Sequence, residues 1–132
     1  MDKNQHHKKR LCILGSTGSI GRQALQVIDG HPDKFEVEVL TAQSNADLLI
    51  EQAKKYKPNA VVIRDERKYN MVKEALAAEP VKVFAGEKAL VEVAAWDSVD
   101  LVLAAIVGFA GLAPVLAAIE QGTPVALANK ET

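Results

Sequence analysis

Residues 10–29 read R-L-C-I-L-G-S-T-G-S-I-G-R-Q-A-L-Q-V-I-D, Arg10 to Asp29. Leu11, Cys12, Ile13 and Leu14 form a short apolar run of the length and composition of a buried strand. Glycines follow at three-residue spacing, Gly15, Gly18 and Gly21, and Ile20, Ala24, Leu25, Val27 and Ile28 then recur at helical spacing. Strand, glycine turn and helix in that order are the setting a dinucleotide site requires, here in a Gly-x-x-Gly-x-x-Gly variant. Gly15 lets the chain turn off the strand, Gly18 opens the backbone to a diphosphate, and Gly21 lets the helix lie close to the strand. The unpaired amides of the first helical turn, from about Thr17 through Ser19 to Ile20, would face the anion, with the hydroxyls of Ser16, Thr17 and Ser19 as further donors. The competing reading is a tight strand-to-helix turn that holds no ligand.

Beyond this unit the same alternation repeats. Apolar runs at 35–42, 60–63, 81–84, 101–105 and 124–128 predict five more strands. Helical spacing at 46–56, 69–76, 87–95 and 112–121 predicts the helices between them, with Ser44-x-x-Asp47 as a start signal for the first of these and Gly122 closing the last. Strands that are apolar throughout are buried on both faces. The expected fold is therefore α/β: a doubly wound, Rossmann-type, mainly parallel six-stranded sheet with helices on both faces, ordered 3-2-1-4-5-6. The uncharged stretch from Leu101 to Ile119 has the length of a membrane helix, but Gly108, Gly111 and Pro114 divide it into strand, loop and helix. Ligands of such sheets bind at the carboxyl ends of the strands, here Gly15–Ile20, Ala42–Asn45, Arg64-Asp65, Ala104–Gly108 and Ala128–Glu131.

Composition narrows the function classes. With 132 residues the chain has the size of one domain, read as a tail over 1–9 and a dinucleotide-binding domain over 10–132. Sixteen basic against 17 acidic residues leave no basic excess for nucleic acid. Lys8-Lys9-Arg10 behind His6-His7 reads as a solvated tail, and His31 is the only other histidine, so a metal site there is not expected. The single cysteine, Cys12, sits mid-strand and reads as a small core residue, which fits a reducing, cytoplasmic setting; the polar start does not read as a signal peptide.

The second strand bears on the choice of coenzyme. NAD sites usually place an acid at its end for the ribose hydroxyls, whereas this chain has Thr41-Ala42-Gln43-Ser44-Asn45. The missing carboxylate leans towards NADP, although no Arg or Lys takes its place within that stretch. Ser44 and Asn45 read equally as phosphate donors and as helix caps. At the far end, Lys130 after the last strand reads either as a fixed charge for an anionic or carbonyl substrate or as a solvated terminus.

Three motifs in order carry a closer resemblance: G-S-T-G-S-I-G at Gly15–Gly21, A-A-I-V-G-x-A-G-L at Ala104–Leu112 and L-A-N-K-E at Leu127–Glu131. Together they resemble the N-terminal, NADPH-binding domain of the 1-deoxy-D-xylulose 5-phosphate reductoisomerase family. That family isomerises its phosphorylated sugar substrate and reduces it with NADPH to 2-C-methyl-D-erythritol 4-phosphate, in non-mevalonate isoprenoid biosynthesis. The resemblance implies that Thr17, Gly18, Ser19 and Ile20 hold the pyrophosphate, flanked by Gly15 and Gly21, and that Asn45 touches the adenosine side. It implies that Ala104, Ala105 and Ile106 line the cleft, that Asn129 and Glu131 contact the cofactor, and that Lys130 contacts substrate. Gln43 departs from the family's glycine and Ser44 from a position that is often basic, which bears on the 2′-phosphate contact.

The resemblance also implies a divalent metal, Mg or Mn, held by acids that follow the L-A-N-K-E motif, a lid further on, and a homodimer of the full-length enzyme. No metal ligand and no catalytic residue is then expected up to Thr132, and no turnover from this chain alone. Two other readings of the glycine turn are an NADP-dependent semialdehyde or dihydrodipicolinate-type reductase and a non-catalytic NAD(P)-sensing domain.

Overall fold

The computed structural model describes residues 8–106 and 111–127. Strands β1 (Lys9–Leu14), β2 (Phe35–Ala42), β3 (Ala60–Ile63), β4 (Lys82–Ala85), β5 (Leu101–Ala104) and β6 (Val125–Leu127) alternate with helices α1 (Ser19–Asp29), α2 (Ala46–Tyr56), α3 (Tyr69–Ala75), α4 (Glu87–Ala94) and α5 (Leu112–Gln121). All five strand pairings are parallel. The core lies in two layers, one on each face of the sheet. Leu25 and Ile28 of α1, Leu49 and Ala53 of α2, and Val72 and Leu76 at α3 pack on one face against Ile13, Leu40 and Val61. Leu90, Val93 and Ala94 of α4 and Ala118 of α5 pack on the other, against Cys12, Leu14, Val39 and Val102.

The strand order is β4-β3-β2-β1-β5-β6, not the expected 3-2-1-4-5-6. The reason is the face each helix takes. The connection from β3 carries Val72 and Leu76 onto the layer already holding α1 and α2, so a right-handed crossover continues outward and sets β4 beside β3 as an edge. Only α4 changes face, and the same handedness then brings β5 back to the centre, beside β1. The winding reverses between β1 and β5, and their carboxyl ends frame the crevice.

Two local details depart from the sequence pattern. The β1–β2 register jumps from Leu11↔Val37 to Cys12↔Val39, leaving Glu38 as the extra residue of a bulge. Glu38 is buried, and its carboxylate accepts from Asn59 Nδ2 at 3.0 Å. On α1 the buried face is Gly21, Leu25 and Ile28, while Val27 is 62% exposed. Cys12 is fully buried, as its mid-strand position predicts; burial, and secondarily the charge of Glu38, push its thiol up to about 12. Among the described residues no helix is long and apolar enough to cross a membrane.

Candidate cofactor-binding site

The glycine turn between β1 and α1 is braced from below. Gly15, at φ +86°, donates its amide to Thr41 Oγ1 at 2.9 Å, and that hydroxyl donates in turn to the carbonyl oxygen of Ile13 at 3.2 Å. The Ser16 amide bonds the Thr41 carbonyl oxygen at 2.8 Å. The Ser16 hydroxyl, expected to face the anion, points inward instead. It is fully buried, 2.6 Å from Gln52 Oε1 and 3.1 Å from the Thr41 carbonyl oxygen. Gln52 Nε2 returns a bond to the Ser16 carbonyl oxygen at 2.9 Å. The buried polar atoms of the turn are thus satisfied by β2 and α2, which holds its shape independently of any ligand.

The upper side of the turn is open. Gly18 stands at the N-cap of α1 with no side-chain cap bond, and Arg22 makes the first backbone bond, to the Gly18 carbonyl oxygen at 2.9 Å. The amides of Ser19, Ile20 and Gly21 therefore have no acceptor among the described residues, and the first helical turn carries no acid. A Cβ built on Gly18 meets nothing closer than 3.9 Å. At Gly21 it would overlap the Gly15 carbonyl oxygen and stand 2.7 Å from Ser16 Cα, and at Gly15 it would stand 3.0 Å from Ile106 Cγ1. The outer glycines thus close the packing of β1, β5 and α1, while the middle one leaves space beside amides that have no acceptor among the described residues. A diphosphate fits such a cradle in charge and in room.

In front of it runs a cleft of about 220 Å³, lined by Gly15, Thr17, Gly18, Thr41, Ala42, Gln43, Arg64, Leu90, Ala105 and Ile106. Ala104 lies one step deeper, 6% exposed in the α4–α5 layer. Asn45 caps α2, its Oδ1 accepting from the Leu48 amide at 3.2 Å, so the cap falls one residue after the predicted Ser44. Ser44 and Gln43 are exposed on the rim. Asn129, Lys130 and Glu131 lie outside the described residues.

Several residues at the site were not expected from the sequence. Thr41 and Gln52 brace the turn; the one available signal was a glutamine on the apolar face of α2, one turn from Leu49 and beside Ala53. Leu90 of α4 lines the cleft without having been marked in the sequence, whereas Arg64, just after β3, stands at one of the expected strand ends. Arg64 Nε is 2.7 Å from Glu87 Oε1. Asp65 accepts from Arg67 Nε at 3.0 Å and Nη2 at 2.9 Å, and these hydrogen bonds hold its carboxyl below the usual carboxylate range.

An all-parallel sheet with its winding reversed beside a glycine turn, and free amides above that turn, defines a Rossmann-type dinucleotide-binding domain. A sequence profile of the 1-deoxy-D-xylulose 5-phosphate reductoisomerase family matches residues 11–132, and the chain belongs to that family. It is 58% identical over 125 residues to the reductoisomerase of Phocaeicola vulgatus, covering 95% of this chain and 33% of the relative. It is 56% identical over 129 residues to that of Bacteroides fragilis, covering 98% and 33%. Among solved structures it superimposes on the Zymomonas mobilis reductoisomerase in complex with NADPH, with a TM-score of 0.88 and 44% identity over 93% of this chain and 32% of that one. A reductoisomerase in complex with NADPH, fosmidomycin and magnesium superimposes with a TM-score of 0.88 at 36% identity, covering 92% and 30%. The chain thus spans about a third of the length of these relatives.

Proposed function

We propose that this chain carries the NADPH-binding domain of a 1-deoxy-D-xylulose 5-phosphate reductoisomerase; the boundary expected between a tail over 1–9 and a domain over 10–132 moves back by one residue, since Lys9 already pairs with Phe35 in β1. The observation that carries this reading is the open cradle: amides of Ser19, Ile20 and Gly21 without acceptors among the described residues, beneath a Gly18 whose added Cβ meets nothing closer than 3.9 Å. NADPH, where bound, supplies the hydride. This chain's own residues bind and orient it. Thr17, Gly18, Ser19 and Ile20 face the pyrophosphate, with Gly15 and Gly21 holding the turn. Ala105 and Ile106 form the wall beside β1, and Gln43, Ser44 and Asn45 meet the adenosine ribose.

Asn129 and Glu131 are assigned to the cofactor and Lys130 to the anionic substrate, on the L-A-N-K-E motif alone. The divalent metal, the phosphorylated substrate and a homodimer belong to the whole enzyme, working in the cytoplasm. Titration of the 132-residue chain with NADPH, followed by the fluorescence of the reduced nicotinamide, tests the reading. Saturable binding that Gly18→Ala weakens is expected; an absence of binding at millimolar NADPH overturns it.

A further inference from the structure

The end of β2 carries no charge of its own: Gln43, Ser44 and Asn45 are neutral, and the Asn45 Oδ1 is occupied in capping α2. A cation nevertheless reaches this spot from elsewhere. Lys68 closes the single 3₁₀ turn Glu66–Lys68 that links β3 to α3, and its Nζ donates to the carbonyl oxygen of Ser44 at 2.9 Å. We propose that Lys68 recognises the 2′-phosphate of NADPH, doing from the β3–α3 connection what the β2–α2 turn of this chain has no charge to do. The inference rests on the dinucleotide reading given above.

Three observations converge on Lys68. First, position: the ribose of a dinucleotide bound at the α1 turn lies against the end of β2, where Nζ is already docked. Second, continuity: a second cleft of about 460 Å³, lined by Gln43, Ser44, Arg64, Arg67 and the carboxylates Asp65, Glu66 and Glu87, shares Gln43 and Arg64 with the cleft at the glycine turn. One ligand can therefore run from the α1 amides past the end of β2 to Ser44, whose carbonyl oxygen holds Lys68 Nζ. Third, charge: the other basic groups here are already neutralised, Arg64 by Glu87 at 2.7 Å and Arg67 by Asp65 at 2.9 Å.

Glu66 lies over Gly86, where its Oε2 would be 2.6 Å from an added Cβ, at the start of α4. Lys68 is in no ion pair among the described residues, although its charge also helps to hold the nearby Asp65 carboxyl down. An ammonium has three donors; with one on a neutral carbonyl, two remain for a phosphate. The end of β2 has no carboxylate of its own, and of the three carboxylates on the second cleft Glu87 is paired with Arg64 and Asp65 with Arg67, so an ammonium outside any ion pair favours a dianion over a free hydroxyl here.

NADPH and NADH differ only in that phosphate, so their affinities for the 132-residue chain isolate it. Isothermal titration of the wild type, Lys68→Ala and Lys68→Arg against both coenzymes, with melting curves alongside, is the test. The expected result is a wild type that prefers NADPH, a Lys68→Ala variant whose NADPH affinity drops about tenfold with NADH unchanged, and a Lys68→Arg variant that keeps most of the preference. The wild-type preference should also shrink as ionic strength rises. Loss of affinity for both coenzymes alike in Lys68→Ala would assign the lysine to bracing Ser44 and overturn the proposal, as would no change in either. A wild type that binds both coenzymes equally defeats the Lys68 assignment while leaving the dinucleotide site standing; one that binds neither defeats both.

Discussion

A methyl group at Gly21 would run into the Gly15 carbonyl oxygen and stand 2.7 Å from Ser16 Cα, both of them backbone that cannot rotate away. At Gly18 the same methyl group meets nothing within 3.9 Å. Two glycines of one motif therefore have separable physical roles. Gly21→Ala is expected to destabilise the fold by about 3 kcal/mol, read by urea denaturation. Gly18→Ala should cost only about 1 kcal/mol, the difference between glycine and alanine at an N-cap, yet weaken NADPH about tenfold by filling the space above the amides. Equal destabilisation by both substitutions would contradict this division. Cys12 belongs to the same scale. Its thiol is buried and its pKa raised to about 12, so the folded state keeps a proton that the unfolded chain releases from about pH 9 upward. Stability from this group is complete below pH 9 and declines from there to about pH 12, by up to about 1.4 kcal/mol per pH unit. Denaturation of Cys12→Ala and of the wild type at pH 8 and pH 10 should show the steeper alkaline loss in the wild type alone.

Among the elements, α2 contributes more to the site than its position on one face of the sheet suggests. Its apolar positions Leu49 and Ala53 seat it in the core, and Gln52 on the same side is the buried group that holds Ser16 through two hydrogen bonds, of 2.6 and 2.9 Å. Gln52→Ala removes the Nε2 donor from the buried Ser16 carbonyl oxygen and leaves the Ser16 hydroxyl only the longer bond to the Thr41 carbonyl oxygen, an expected loss of about 2 kcal/mol. Because the turn that presents the α1 amides is then less well held, NADPH affinity should fall as well, and the two effects should be non-additive with Ser16→Ala in a double-mutant cycle. Strictly additive energies would show that the two side chains act independently. The periodicity of α2 was legible in the sequence. That its single buried polar residue faces the glycine turn, 36 positions earlier, was not, because a hydrogen bond of that separation leaves no spacing signal.

For the whole molecule, a ligand that binds only the folded state raises its stability by mass action, so NADPH at 100 times its dissociation constant should add about 2.7 kcal/mol and lift the melting temperature by several degrees. A melting temperature indifferent to saturating NADPH would remove the coenzyme from the account. Much of the architecture behind this expectation was written in the residues themselves. Runs such as Leu11–Leu14 and Ala60–Ile63 are apolar without alternation because both faces of their strands are covered, and the bounds of β2, α2 and α5 follow from turn residues and caps that act locally. Which face each helix covers is not local. Val72 and Leu76 at α3, and Leu90 and Val93 of α4, show the same helical spacing, yet they pack on opposite sides of the sheet. That choice alone put β4 at the edge and β5 beside β1. By itself the sequence determined the class of fold, the glycine turn and the lack of an acid at the end of β2, since propensity, periodicity and charge are properties of neighbouring residues. Only the tertiary structure decided the strand order, the inward turn of Ser16 and the arrival of Lys68 at Ser44, because each depends on distant segments competing for the same space and the same hydrogen-bonding groups.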